Sequence, residues 1–551
     1  MKLKPIAISF AALSLAACGG GGGSGDSAST SGGTATQTPA AQTVGGVVAT
    51  GLPLSGAAVN MTCASGSGAA TTATDGSYSV TIKGGSLPCV LTATSSDSKV
   101  VLHSLVPGSG SGSSNATAHI TPLTELLVAQ LSGQDPVQFA SAFGPTTAVS
   151  ATAVSSAQSA LVSVLKNAGV DPSSVGDFIG GTITAGSHQG YDAILDTLQS
   201  TITSAGTSLG ELSTAVANST GSTTAAASTL ATILAPANPD CTALKSGDHR
   251  LIKLSDGSAK LVTVDATKLT VAMSGTTYQL TKGATSCDFT LNDTGSTRLL
   301  VAKSGLAAWT NGTGTTGTVS LSMPAQTLDP SVINGAYNYA IFNGPSQNQF
   351  GTHHYSNGVT SAATNCTGYS SCAVDTVTPY GHLVATSDGG ANWVDDGSQH
   401  SNGFHAFGFR NAQGKVLWIA TVLDAGGGVG VFVPQTTLPL PAVGTTSAFW
   451  QSYVYNSTGL SAVTEDSHTI TAQNGTNVTR TFADQHTDVL SFNDPFDGMR
   501  HRAANACTTT AGAATTCKSV LQLPLGGMTL AWFGSASTYA VSISVNKPGS
   551  M

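Results

Sequence analysis

The chain has 551 residues and a net charge of −8, and only 9% of its side chains are charged, against roughly a quarter in ordinary globular domains. With no basic cluster, that balance argues against nucleic acid and against a polybasic membrane surface. Gly, Ser, Thr, Ala and Asn replace the missing charge, and Glu occurs only at Glu125, Glu211 and Glu465, as suits an exported β-rich protein.

Residues 1–17 have the three parts of a secretory signal. Lys2 and Lys4 open it, Ile6 to Leu15 is mostly apolar, and Ala16-Ala17 precedes Cys18. The run is too short to span a bilayer as a helix. Leu15-Ala16-Ala17-Cys18 resembles the lipobox of bacterial lipoproteins. The resemblance implies cleavage before Cys18, a diacylglycerol on its sulfur and an acylated new N-terminus. Each buried acyl CH₂ contributes about 0.8 kcal/mol, so several chains hold firmly. Gly19, rather than Asp, follows the cysteine. In lipobox families this implies the outer membrane, on its periplasmic side or at the cell surface. Residues 18–42 read as a Gly/Ser/Thr/Ala tether with no apolar bulk to bury.

Eight cysteines remain: Cys63, Cys89, Cys241, Cys287, Cys366, Cys372, Cys507 and Cys517. An even remainder in an exported chain favours disulfides. Proximity favours sequential pairs, Cys63–Cys89, Cys241–Cys287, Cys366–Cys372 and Cys507–Cys517, and the sequence leaves other connectivities open. A zinc–thiolate reading lacks any Cys-x-x-Cys.

Residues 43–104 carry short strand-like runs at Val47-Val48, Ala58 to Met61, Tyr78 to Ile82 and Val90 to Ala93. Gly56 permits a tight turn, and Asp75-Gly76 signals a hairpin. Gly46-Val47-Val48, Pro53 to Val59 and Thr72 to Tyr78 together resemble the carboxypeptidase regulatory-like β-sandwich. That resemblance implies a non-enzymatic spacer or binding module, cross-linked by Cys63 and Cys89. Residues 105–117, rich in Gly and Ser, read as a linker. Gly108-Ser109-Gly110-Ser111-Gly112 has nucleophile-elbow spacing there without the strand-to-helix context the elbow needs.

The period changes at residue 118, and 118–236 read as a small helical domain. Thr121 caps a helix through Gln130, with Pro122 in its first turn and Glu125 in the early acidic position. Val154, Leu161, Val164 and Leu165 follow helical spacing and end at Gly169, and Tyr191, Leu195, Leu198 and Ile202 repeat the pattern. Leu209 to Val216 and Ala225 to Leu234 are weaker helices. Ile120-Thr121-Pro122-Leu123-Thr124 resembles a segment that follows sandwich modules in proteobacterial surface lipoproteins.

Residues 240–547 are β-rich and hold all five tryptophans. Asp256-Gly257, Ala412-Gln413-Gly414 and Asn474-Gly475 signal hairpins. Tyr539 to Val545 alternates, which predicts one buried and one wet face. The expected architecture is an antiparallel barrel or sandwich, divided at Asp329-Pro330 and Pro439 to Pro441 into 240–328, 329–440 and 441–547. Gly335-Ala336-Tyr337 resembles the Gly-x-Trp opening of lipocalin-type barrels, with Tyr in place of Trp.

Eight of the twelve histidines fall between His353 and His501, among many aspartates. His400 and His405 are the nearest approach to a metal pair, yet no His-Glu-x-x-His occurs. No catalytic residue, metal or cofactor is assigned. Thr386-Ser387-Asp388-Gly389-Gly390-Ala391-Asn392-Trp393 resembles the Asp-box, which implies a hairpin, with Asn392 replacing the usual Thr. Sialidase propellers repeat that box and need an arginine cluster and a Tyr–Glu pair. Here Arg500-His501-Arg502 is the only dense basic spot and Glu465 the only glutamate of the region. Tyr369, Tyr380, Trp393, Phe404, Phe407 and Phe409 could stack on sugars, but the alternation around Gly408 fits a core strand better. The expected protein is a multidomain, non-enzymatic envelope lipoprotein. It attaches to the membrane through its lipid and presents a β-rich region to a glycan or an envelope protein. The alternative is an exported hydrolase, glycan-directed or metal-dependent.

Overall fold

The structure is a computed structural model. It describes residues 41–110, 114–219, 223–342, 349–369, 371–376, 378–397, 403–411, 414–423, 428–455, 458–533 and 540–549. Cys18, His400 and the Ala412-Gln413 turn lie outside the described residues.

The N-terminal part is two facing sheets. Ala58–Ser65 alternates buried and exposed positions and pairs with Ser67–Thr71 and Ser86–Thr94. Ala41–Val47 pairs with Ser77–Lys83, whose Val80 and Ile82 face the same core as Met61 and Leu91. Ala41 and Gln42, expected in the tether, belong to the strand Ala41–Val47, and the described residues of 105–117 are strand rather than linker. Val101–Gly110 is a strand beside Ser86–Thr94, with Leu102 and Leu105 buried, and Ser114–Thr117 pairs in parallel with Ala41–Val47. Backbone ladders form without apolar side chains, so Gly/Ser composition hid these strands.

Pro122–Ser132 is a helix capped by Thr121, with Thr124 returning a bond to the cap backbone. Eight consecutive residues from Pro122 to Ala129 are buried, as expected of a helix apolar on all sides and central to its core. Helices Ala151–Asn167 and Leu209–Ala217 pack against it, and Tyr191–Ser204 and Thr223–Leu234 complete the same core. The short helix Pro136–Ser141, capped by Asp135, had no periodic signal. One apolar cluster runs from Val44 and Met61 through Leu126 and Leu165 to Leu234, so sandwich and helices share a core. His103 on the strand Val101–Gly110 gives its backbone N–H to Glu125 (2.6 Å) and pairs with it through Nδ1 (2.8 Å), both side chains buried. That pair fastens the central helix to the sheet.

The β-rich part forms three closed antiparallel rings among the described residues. Eight strands from Gly247–Lys253 to Thr318–Pro324 close the first. The second runs from Gly335–Phe342 to Val429–Pro434 and closes where Gln349–Ser356 pairs with Val359–Gly368. The third closes where Thr446–Tyr455 pairs with both Thr464–Asn474 and Ala540–Asn546. The protein is thus multidomain and mostly β, with a small N-terminal sheet region, a few helices and large C-terminal barrels. A shared apolar cluster joins the rings, with Ile252 and Met323 from the first, Phe407 and Val431 from the second, and Trp450 and Ile543 from the third. Phe342 stacks on Trp532 across that seam (4.8 Å between ring centres).

Four disulfides are present: Cys63–Cys89, Cys241–Cys287, Cys366–Cys372 and Cys507–Cys517. The first and third join register partners on adjacent strands.

Candidate functional site: the interior of the third barrel

An eight-stranded ring is just wide enough for side chains to fill it or for one small ligand to occupy it. The three rings divide on this point. Leu251, Val262, Phe289, Leu299 and Trp309 fill the first. Tyr337, Tyr355, Phe404, Trp418 and Phe432 pack inside the second, and the cavity that these described residues line holds about 10 Å³. The third keeps a cavity of about 630 Å³, within the range of about 300–1,000 Å³ typical of ligand pockets.

The cavity follows from inverted strand patterning. In Thr446–Tyr455, Ser447, Phe449, Gln451 and Tyr453 line the interior, while Trp450 packs outward into the seam between rings. In Ala540–Asn546, Ser542, Ser544 and Asn546 point inward, and Val541, Ile543 and Val545 point to the seam. These two strands turn their apolar faces to the neighbouring rings and their more polar faces inward, while Leu490 and Phe492 on the strand Thr487–Phe492 give the cavity part of its apolar wall. Exposed lining residues Leu440 and Ala442 mark where the cavity reaches the surface.

Three arginines reach the interior. Arg480 grips Asp488 with two bonds, Nε to Oδ1 (2.8 Å) and Nη2 to Oδ2 (2.7 Å), and Arg502 Nη1 adds a third (3.0 Å). Burial alone would raise the Asp488 pKa. The charges and hydrogen bonds of Arg480 and Arg502 outweigh it and hold the carboxyl below its usual range. Arg500 is different. Its Nη2 donates to Thr529 Oγ1 (3.0 Å) and its guanidinium lies 5.5 Å from the Phe492 ring centre, but it makes no ion pair among the described residues. Burial first, then the Arg480 charge, push its pKa down to about 9, which leaves it a cation at neutral pH. His468 also lines the cavity. Burial, with Arg480 opposing a second charge, pushes its pKa down to about 3, so it is neutral.

The other sequence candidates are placed elsewhere. His405 is engaged at both nitrogens, Nδ1 with Asn392 Oδ1 (2.6 Å) and Nε2 with Asp388 Oδ2 (3.0 Å). The Asp-box forms the turn of the hairpin Gly381–Ala385 to Ala391–Asp395, with Asp388 accepting from Thr386 Oγ1 (2.6 Å) and from the Gly390 N–H (3.1 Å). Trp393 stacks on Phe404, and Phe404, Phe407 and Phe409 are core residues. Tyr369 stacks on His501 and donates to Asp494 (2.6 Å). His188, Asp192 and Asp196 gather at the start of the helix Tyr191–Ser204, a group without a motif in the sequence. There the His188 N–H and ring already bond to Asp192 and Asp196 (both 2.7 Å). Sequence reasoning flagged Arg500-His501-Arg502 as basic but not as part of a site. Period-two alternation, which sends Arg500 and Arg502 inward and His501 outward, was the available signal.

No family model matches the chain, and no curated protein matches it. Among solved structures, isotype 1 transferrin binding protein B from serogroup B Neisseria meningitidis aligns at 9% identity and a TM-score of 0.19, covering 52% of this chain and 65% of that one. Intact Ap-TbpB, with N and C lobes, aligns at 8% identity and a TM-score of 0.20, covering 53% and 67%. A protein of unknown function from the DUF3598 family of Nostoc punctiforme aligns at 9% and 0.16, covering 40% and 98%. At these TM-scores the likenesses carry no argument about fold or function.

Proposed function

We propose that the chain is a lipid-anchored outer-membrane lipoprotein of non-enzymatic type, and that the interior of its third barrel is a ligand site. The observation that carries the binding part is the contrast between two rings packed with apolar side chains and a third with a cavity of about 630 Å³ lined by both polar and aromatic side chains. The Lys2 to Cys18 layout supports the anchor, with the segment before Ala41 as tether and the sandwich, from the strand Ala41–Val47 to the strand Ser114–Thr117, as spacer. The segments 240–328, 329–440 and 441–547 are read as one domain per ring. Binding is preferred to hydrolysis because, of the two lining carboxylates, the buried Asp488 has both oxygens held by arginines and is not free to act as a base, and Asp466 alone does not make the carboxylate pair that glycoside hydrolysis uses.

The anchor is tested by expressing the full chain in a Gram-negative host with a radiolabelled fatty acid. The wild type takes up label and fractionates with the outer membrane, and Cys18→Ala does neither. Equal labelling of the two would remove Cys18 as the attachment point.

A further inference from the structure

We propose that the third barrel takes a small amphiphile carrying one oxyanion, a carboxylate or a phosphate, seated on Arg500 with its apolar body against the aromatic part of the wall. This rests on the reading of the barrel interior as a ligand site.

Charge gives the first reason. The lining arginines are Arg480, Arg500 and Arg502, and the lining acids are Asp466 and Asp488. Three cations against two carboxylates leave one positive charge in excess. Geometry says where it lies. Asp488 is divided between Arg480 and Arg502, and Asp466 accepts from the Ser467 N–H. Among the described residues, Arg500 has a hydroxyl and an aromatic face beside it and no carboxylate. A desolvated cation is stable when a counter-charge completes it. Oxyanions suit the guanidinium fork, which can offer two parallel N–H donors.

Unsatisfied polar atoms in the same wall give the second reason. Arg500 Nε, Arg502 Nε, Gln522 Oε1 and His468 Nδ1 have no protein partner among the described residues. Arg500 and Gln522 are register partners on adjacent strands, and both line the cavity. Native structures rarely leave buried polar atoms unpaired, so these four groups give the wall hydrogen-bonding capacity for a polar ligand head or for water. His468, held neutral, adds no second cation and can serve as a hydrogen-bonding group.

The rest of the wall sets the shape of the ligand. Phe449, Ile470, Phe482, Leu490, Phe492 and Phe533 line the same cavity. Free inorganic phosphate would leave that surface wet, and a plain hydrocarbon would leave Arg500 uncompensated. A molecule with an anionic head and an apolar body satisfies both.

Octanoate, octyl phosphate and octanol are titrated calorimetrically into the full lipidated chain in nanodiscs, against empty nanodiscs. The expected result is one site per chain, with at least one anion bound about tenfold or more tighter than octanol, as one charge-assisted contact provides. The ranking of octanoate against octyl phosphate identifies the head group. Arg500→Gln is expected to bring the anion down to the level of octanol while octanol binding persists, and Arg500→Lys to keep the preference for anions at lower affinity. Octanol binding as tightly as both anions would overturn the anion proposal and leave the binding site standing. Binding of none of the three, or binding unchanged in both variants, would overturn it too, and the former would also remove the barrel interior as a site for amphiphiles. If Arg500→Gln does not fold, the wild-type anion-to-octanol ratio and Arg500→Lys decide the question.

Discussion

Replacing Asp488 with Asn removes the charge that two arginines share while keeping the side chain's shape. Asp488 is 1% exposed as a side chain, and Arg480 and Arg502 are 11% and 15% exposed. Three hydrogen bonds converge on its two oxygens. Breaking a buried ion pair by neutralising one partner costs about 3–5 kcal/mol, because the other charge is left desolvated. The adjoining cavity softens that penalty, so the lower end applies, about 3 kcal/mol. The three rings share an apolar seam, so the melting unit is larger than one ring, and each kcal/mol lowers its midpoint by roughly 2–4 °C. Calorimetry of Asp488→Asn should therefore show the barrel transition roughly 6–12 °C below wild type. Because the fold holds the Asp488 carboxyl low, its contribution is complete above the unfolded pKa of about 3.9 and is lost as pH falls through the lower folded value. Wild type should lose more stability than the variant when the pH is taken below about 4. The variant also leaves three lining arginines facing Asp466 alone, so it should bind octanoate more tightly than wild type. A midpoint within about 2 °C of wild type, together with parallel acid profiles, would refute the clamp reasoning.

Two further outcomes test the scaffold. Glu125→Ala leaves the buried His103 ring and its N–H without their acceptor. It should destabilise the N-terminal part by about 3 kcal/mol, measured by urea unfolding, while the fluorescence of the barrel tryptophans stays native in the pretransition range. Cys241–Cys287 closes a span of 46 residues and Cys366–Cys372 one of 6. On the loop-entropy account the double-Ala replacement of the first pair should cost about 4 kcal/mol and of the second about 2 kcal/mol, a difference readable as melting shifts.

Much of the fold was legible because it rests on local rules. The Thr121 cap with Pro122, the spacing from Val154 to Leu165 and the tight turn at Asp388-Gly389 each act over a few residues, and each forms the expected element. The strands within 105–117 were not legible, since their pairing uses backbone groups that Gly and Ser carry as well as any residue does. Sequence shows Glu125 as a helix-start acid, since it gives the position on the helix but not the strand that brings His103 beside it. The site was half legible. The alternation from Val541 to Val545 showed one apolar and one polar face, and the structure sends the apolar face to the seam between barrels and the serines to the cavity. Sequence periodicity fixes that two faces differ, but which one a ring encloses depends on its neighbours. Arg480, Asp488, Arg500 and Gln522 come from four consecutive strands and meet only when those strands pair in register.

The most direct measurement is a crystal structure of the full chain soaked with 8-bromooctanoate, read by anomalous scattering from the bromine. One bromine peak is expected inside the third barrel, with the carboxylate within hydrogen-bonding distance of Arg500 and Thr529 Oγ1. A bromine peak confined to the outside of the barrels, with Arg500 bare of any anion, would contradict it.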